Sequence, residues 1–244
     1  MTSNTHKTKS RLNERTKKES ATVQPSTREH SEGEGTMNVA IFGATGKTGR
    51  VVLDEALKAG HTVVAFARNP DKIDIDHENL RVVPGDVLDP KAVEKAIEGQ
   101  DAVVSVLGAG IGRSTLRTEG THQIVRAMER TGVRRLISQS IFGLGDSAEK
   151  LPLLWKLVIK PLILRNAYRD HAGQESVVAA SNLDWTIIRP VSLRDWDPTG
   201  QYQHGSAEAM NGITLKIALI DLARFTLDQL ASNRYLHQMP AITY

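Results

Sequence analysis

Asn38-Val39-Ala40-Ile41-Phe42-Gly43-Ala44-Thr45-Gly46-Lys47-Thr48-Gly49 is the stretch that decides the fold. A short apolar, β-branched run leads into glycines at every third position. Residues 48–59 then carry Val51, Val52, Ala56 and Leu57 on one helical face, and Gly60 stops that helix. Strand, tight turn and helix in immediate succession make a phosphate cradle. Gly43 permits the turn, Gly46 lets backbone approach a pyrophosphate, and Gly49 lets helix and strand pack closely, while the helix N-terminus offers free N–H groups and a positive dipole end. A nucleoside-triphosphate loop is the rival reading of Gly46-Lys47-Thr48. It needs a glycine where Ile41 stands, so its cradle would not form. The expectation is a nicotinamide dinucleotide bound at Gly43, Thr45, Gly46, Lys47, Thr48 and Gly49.

Outward from this loop, β-branched runs alternate with longer helical periods. Strands are expected at 38–42, 61–67, 80–84, 102–107, 135–139 and 185–189, with a short last one near 239–242. Helices are expected at 48–59, 90–98, 119–131, 171–181 and 219–231, the second opening on Asp89 as N-cap and Pro90. This alternation predicts an α/β protein: a Rossmann-type doubly wound parallel sheet, a single domain over residues 37–244. Residues 1–36 have scarcely any apolar anchor and read as a disordered charged tail. A transit peptide is the competing idea, but such peptides avoid acids and this stretch holds Glu14, Glu19, Glu29, Glu32 and Glu34. Met37 stands directly before the first strand, which leaves Met1 and Met37 both open as the start.

Composition narrows the class. With 31 Lys+Arg against 28 Asp+Glu, no concentrated basic face argues for nucleic acid, and a small-molecule partner is expected. The absence of cysteine excludes disulfides and thiolate chemistry and fits the cytoplasm. The histidines lack metal-ligand spacing, so no metal is expected. No apolar run is long enough to cross a membrane. Residues 151–164 come nearest, but Pro152, Lys156, Lys160 and Pro161 interrupt them, and a buried or interfacial helix, plausible as a lid, is the better reading. Oligomeric state is left open.

The end of the second strand bears on the cofactor. An acid there would accept from the adenosine ribose of NAD, whereas a base would meet the extra phosphate of NADP. The chain reads Phe66-Ala67-Arg68-Asn69-Pro70, so Arg68 is the candidate for the 2'-phosphate and NADP is favoured over NAD. A solvated arginine in a turn is the bland alternative.

The glycine loop, followed by Arg68-Asn69-Pro70, Gly85-Asp86-Val87 and Thr186-Ile187-Ile188-Arg189-Pro190, resembles the atypical short-chain dehydrogenase/reductases over the whole span from Met37. Within them it is most similar to the NmrA-like branch and to the flavin reductase/biliverdin reductase B group. The resemblance implies that Asp86 and Val87 flank the adenine, that Leu107 and Gly108 line the cofactor, and that Pro190 approaches the nicotinamide. Ordinary turn caps and loop residues are the alternative for Asp86 and Gly108. Parent-family members carry Tyr-x-x-x-Lys on the helix before Ser181-Asn182-Leu183-Asp184-Trp185-Thr186. Aligned there, Ala167 falls on the tyrosine position and His171 on the lysine; Tyr168 is one residue off, a turn of about 100 degrees. Histidine in that place, and Ser140-Ile141-Phe142 after the fifth strand, are similar to the flavin reductase pattern. The catalytic candidates are therefore Ser140, as a hydrogen-bonding group near nicotinamide and substrate, and His171, orienting ribose or substrate or supplying a proton. A solvent-facing serine and a surface or satisfied core histidine are the bland readings. Substrate loops are expected after the fourth, fifth and sixth strands, at 108–118, 142–170 and 192–210. The expected activity is hydride transfer from NADPH to a flavin, quinone or similarly conjugated acceptor. The alternative is a non-catalytic NADP-binding redox sensor, which the missing Tyr/Lys pair allows. An epimerase or dehydratase would keep that pair.

Overall fold

The computed structural model describes residues 23–25, 35–110 and 112–244. The tail expectation therefore lies outside the described residues, except that Val23–Pro25 (β1) forms an edge strand.

The apolar run Asn38–Phe42 is β2, an interior strand of a nine-stranded sheet, third from its β4 edge. On one side it pairs in parallel with Thr62–Ala67 (β3), which pairs with Leu80–Pro84 (β4); on the other with Ala102–Ser105 (β5), then Arg135–Gln139 (β6) and Asp184–Pro190 (β7). Ala241–Thr243 (β11) extends the parallel set beyond β7. Gln201–Gly205 (β9) lies antiparallel outside β11, and β1 antiparallel outside β9. Ser192–Arg194 (β8) and Lys216–Ala218 (β10) form a separate parallel pair.

Successive residues of a strand face opposite layers, and both layers here are apolar, as a parallel sheet covered on two faces requires. Val39 and Ile41 join a core closed by Lys47–Lys58 (α1) and Leu219–Asp228 (α5). Ala40 and Phe42 face Pro90–Ile97 (α2), Leu116–Thr131 (α3) and Arg165–Ala179 (α4). Asp89 caps α2 through the N–H groups of Lys91 and Ala92, as its position predicts.

Two helices begin earlier than expected. The N-terminus of α3 reaches back to Leu116 because the Asp170 carboxylate, from α4, accepts from the N–H groups of Arg117 and Thr118 at 3.1 and 2.9 Å. The start of α4 moves to Arg165 because Trp155–Ile163, a wide helical turn containing Pro161, feeds into it through Leu164. That segment corrects the buried reading of residues 151–164: Leu151 is in the core, but no side chain of Trp155–Ile163 is buried. The chain packs Leu151 beneath it and leaves its leucines outside.

Candidate functional site

Parallel strands all end at one edge, and the strand order reverses between β2 and β5, which opens a crevice there. Gly43 occupies its floor with φ +92°, and a Cβ on it would lie 2.5 Å from the Val106 carbonyl oxygen, so the turns after β2 and β5 abut. A Cβ on Gly49 would fall on the Gly43 carbonyl oxygen. The loop closes with Gly46 N–H donating to Gly43 O at 2.9 Å. No side chain caps α1 and no acid stands in its first turn, so its positive end is uncompensated. Thr45 and Thr48 are half-buried beside it and Lys47 is exposed. Backbone closure, small residues and an open helix N-terminus fit a dinucleotide pyrophosphate.

Arg68 directly follows β3 and Asp86 stands two residues past the neighbouring end of β4, where Gly85 N–H donates to Ala67 O. Arg68 is exposed, and among the described residues none holds its guanidinium by a hydrogen bond or ion pair. The carboxylate of the exposed Asp86 accepts from Leu88 N–H at 2.9 Å, a turn cap that uses one of its two oxygens. Val87 is buried against α3, where it and the half-buried Leu107 press on Gly120; Gly108 is exposed just beyond. The loop residue Ala44 also borders a recess of about 320 Å³ with Arg50 and Lys72, cations that sequence reasoning had not singled out.

The other half of the edge is made by β6, β7 and α4. Ser140 N–H donates to Ile188 O, and its Oγ is buried with no partner. His171, also buried, faces Gln174 Oε1 through Nδ1 at 3.1 Å. The Gln174 amide nitrogen donates to Ser138 Oγ at 2.8 Å and Gln139 O at 3.1 Å. A carbonyl can only accept, so the amide orientation is set, Nδ1 carries the ring proton, and Nε2 is left as an acceptor. Burial, reinforced by Arg117, pulls the His171 pKa down to about 4, and the ring is neutral near pH 7. The structure does not join Ser140 and His171 by a hydrogen bond.

Tyr168, buried in the same layer, donates to Phe142 O at 2.8 Å, and burial pushes its pKa up to about 12. Lys160 Nζ donates to Gly143 O at 2.7 Å and lies 4.8 Å from the Tyr168 ring centre. Beneath them is a cavity of about 140 Å³ between the ends of β6 and β7, lined by Ile141, Phe142, Pro190 and Val191 and roofed by Leu151, Trp155 and Leu164. Space of that size takes one six-membered ring.

Two buried ion pairs brace this half, and sequence reasoning had missed both. Arg189 grips Glu175 with two hydrogen bonds of 2.8 Å and Asp146 with a third of 2.6 Å, fastening α4 to β7. Arg117 pairs with Asp170 and donates to Ala109 O, tying α3 and α4 to the loop after β5. The available signal was a charged residue inside an apolar strand, Arg189 between Ile188 and Pro190, and an acid one helical turn after His171.

With this geometry in place, the chain matches the NAD(P)H-binding family over residues 43–233 and belongs to it. It is 35% identical over 209 residues to a 3-diazoavenalumate denitrifying reductase of a Streptomyces species, covering 75% of this chain and 64% of that one. A solved structure of ChuY, an anaerobillin reductase of Escherichia coli O157:H7, superposes with a TM-score of 0.70 at 23% identity, over 84% of this chain and 96% of that one. A short-chain dehydrogenase/reductase of Veillonella parvula in complex with NADP gives 0.70 at 18% identity, over 85% and 94%. These two likenesses are of fold.

Proposed function

We propose that the protein is an NADPH-dependent reductase that delivers hydride to a flavin, a quinone or a similarly conjugated acceptor. The observation that carries this reading is a ring-sized apolar cavity at the same sheet edge as the open phosphate cradle. The NADPH preference is supported by Arg68, whose exposed guanidinium ends β3 where an acid would serve NAD. NADP is also present in the structure of the Veillonella relative, and reductases are among the proteins this chain resembles.

When bound, the cofactor supplies the hydride. The chain's own residues bind, orient and exclude water. The helix α1 N-terminus and the Gly43–Gly49 backbone take the pyrophosphate, Arg68 the 2'-phosphate, Asp86 and Val87 the adenine side, and Leu107, Gly108 and Pro190 the walls. Buried Ser140 Oγ, without a partner in the protein, donates to cofactor or acceptor. Neutral His171 accepts at Nε2 from a ribose or substrate hydroxyl; with its pKa near 4 it orients and is a poor proton source at neutral pH. A conjugated acceptor takes its proton from solvent, so the place of a Tyr/Lys pair can be held by Ala167 and His171.

The test is NADPH oxidation followed at the nicotinamide absorbance band, first with free flavin and then with a quinone panel. Turnover preferring NADPH, with Arg68→Ala weakening NADPH about tenfold and NADH little, is the expected result. Tight binding without oxidation of any acceptor would replace the reductase by the NADP-binding sensor. No nucleotide binding at all would overturn both.

A further inference from the structure

Six of the nine large apolar side chains exposed among the described residues fall within residues 153–163. Leu153, Leu157 and Leu162 are 70%, 64% and 75% exposed, with Leu154 and Ile163 beside them. The same stretch is one-signed: residues 150–169 contain Lys150, Lys156, Lys160, Arg165 and Arg169 and no acid. Lys156, Lys160 and Arg165 converge on an open recess of about 520 Å³ with Pro161 and Tyr168 in its wall and Glu149 as its one acid. Lys156 and Lys160 each spend one donor on a backbone carbonyl, of Glu149 and Gly143, which holds them at the recess with further donors to offer.

A contiguous exposed apolar patch of this kind marks an interaction surface. A second copy of the chain would bury the leucines, but a twofold contact brings each patch against itself, and three cations per copy would meet three more with only Glu149 to offset them. An anionic bilayer satisfies both halves of the pattern, with apolar side chains at the acyl boundary and cations at the phosphates.

We propose that residues 151–164 seat the protein on an anionic lipid surface, with Leu153, Leu157 and Leu162 inserted and Lys156, Lys160 and Arg165 at the headgroup phosphates. Because Leu151, Trp155 and Leu164 of this segment also roof the ring-sized cavity, the acceptor of the proposed reductase, if that reading holds, enters from the lipid.

Flotation of the full-length chain, without nucleotide, with vesicles of phosphatidylcholine alone or mixed two to one with phosphatidylglycerol tests this apart from any reductase assay. Binding to the anionic vesicles that falls about tenfold between low and high salt is expected. Leu157→Glu with Leu162→Glu should weaken it by about tenfold or more, with circular dichroism and melting unchanged, because both side chains are already in solvent. Lys156→Glu with Arg165→Glu should remove the anionic preference. Failure to float with anionic vesicles overturns the proposal, as does equal binding to neutral ones. So does a concentration-dependent dimer that the Leu157→Glu, Leu162→Glu variant dissociates while lipid binding is nil. Loss of reductase activity with lipid binding intact would remove only the clause about the acceptor.

Discussion

The two halves of the ligand edge are built on different principles. Between Gly43 and Gly49 the chain makes a binding surface from its own backbone within a single turn, and the side chains matter by being absent. Between β6 and β7 the surface is assembled from side chains that meet across long sequence gaps: Gln174 with Ser138, Tyr168 with Phe142, Arg189 with Glu175 and Asp146. The first kind of site is held by sterics and tolerates almost no added atom. The second is held by hydrogen bonds in a dry layer, where one lost partner strands another.

The contrast can be broken by substitution, and the largest effect is expected in the second half. Arg189→Met removes the cation from between Glu175 and Asp146 and leaves a buried carboxylate unpaired, which should cost about 4 kcal/mol of unfolding free energy. Urea unfolding would measure it, and protein that remains folded should still bind NADPH. Gly49→Ala presses a methyl onto the Gly43 carbonyl and should cost about 3 kcal/mol, with NADPH binding lost even below the melting temperature. If that variant binds NADPH normally, the sterics assigned to the loop are wrong.

The smallest expected effect is electrostatic. Burial lowers the pKa of His171, and of His204, from 6.5 to about 4. Between those values the unfolded chain takes up protons that the folded one refuses. Stability is therefore whole above about pH 6.5 and declines as the pH falls toward 4. By pH 5 roughly 2 kcal/mol of that decline should vanish in His171→Gln, read as a flatter dependence of the urea midpoint on pH. An unchanged slope would mean the ring is not shielded in solution.

The same contrast explains what could be read in advance. Strands β2 to β7, the loop at Gly43, the Asp89 cap and Arg68 at the end of β3 are all written in neighbouring residues, and the structure has them where local pattern places them. The early starts of α3 and α4 are not local. One rests on Asp170 reaching back across the packed helix pair, the other on an incoming segment that has no regular period because Pro161 breaks it. β8, β9 and β10 escaped notice for a related reason: three to five residues, mostly polar, show no alternation and depend on partners elsewhere. Gln174 and Glu175 look like surface residues of a helix until their partners on β6 and β7 are known. Exposure of residues 153–163 was illegible because an apolar run reads alike whether it faces a core or a surface.

The order of strands at the far edge has a consequence for synthesis. β9 precedes β11 in the chain but lies outside it, so the sheet cannot be completed by adding strands in the order in which they are made. As the polypeptide emerges, β3 and β4 can settle on one side of β2 and β5, β6 and β7 on the other, each on an edge already present. Until residues 241–243 slide in between it and β7, β9 can pair only with β1 on its outer side and has no link to the rest of the sheet. A nascent chain stalled before that point exposes the apolar rim of β7, the place where a chaperone would be needed and where aggregation would start. The last few residues thus act as a keystone, and trimming them would undo two strand pairings at once.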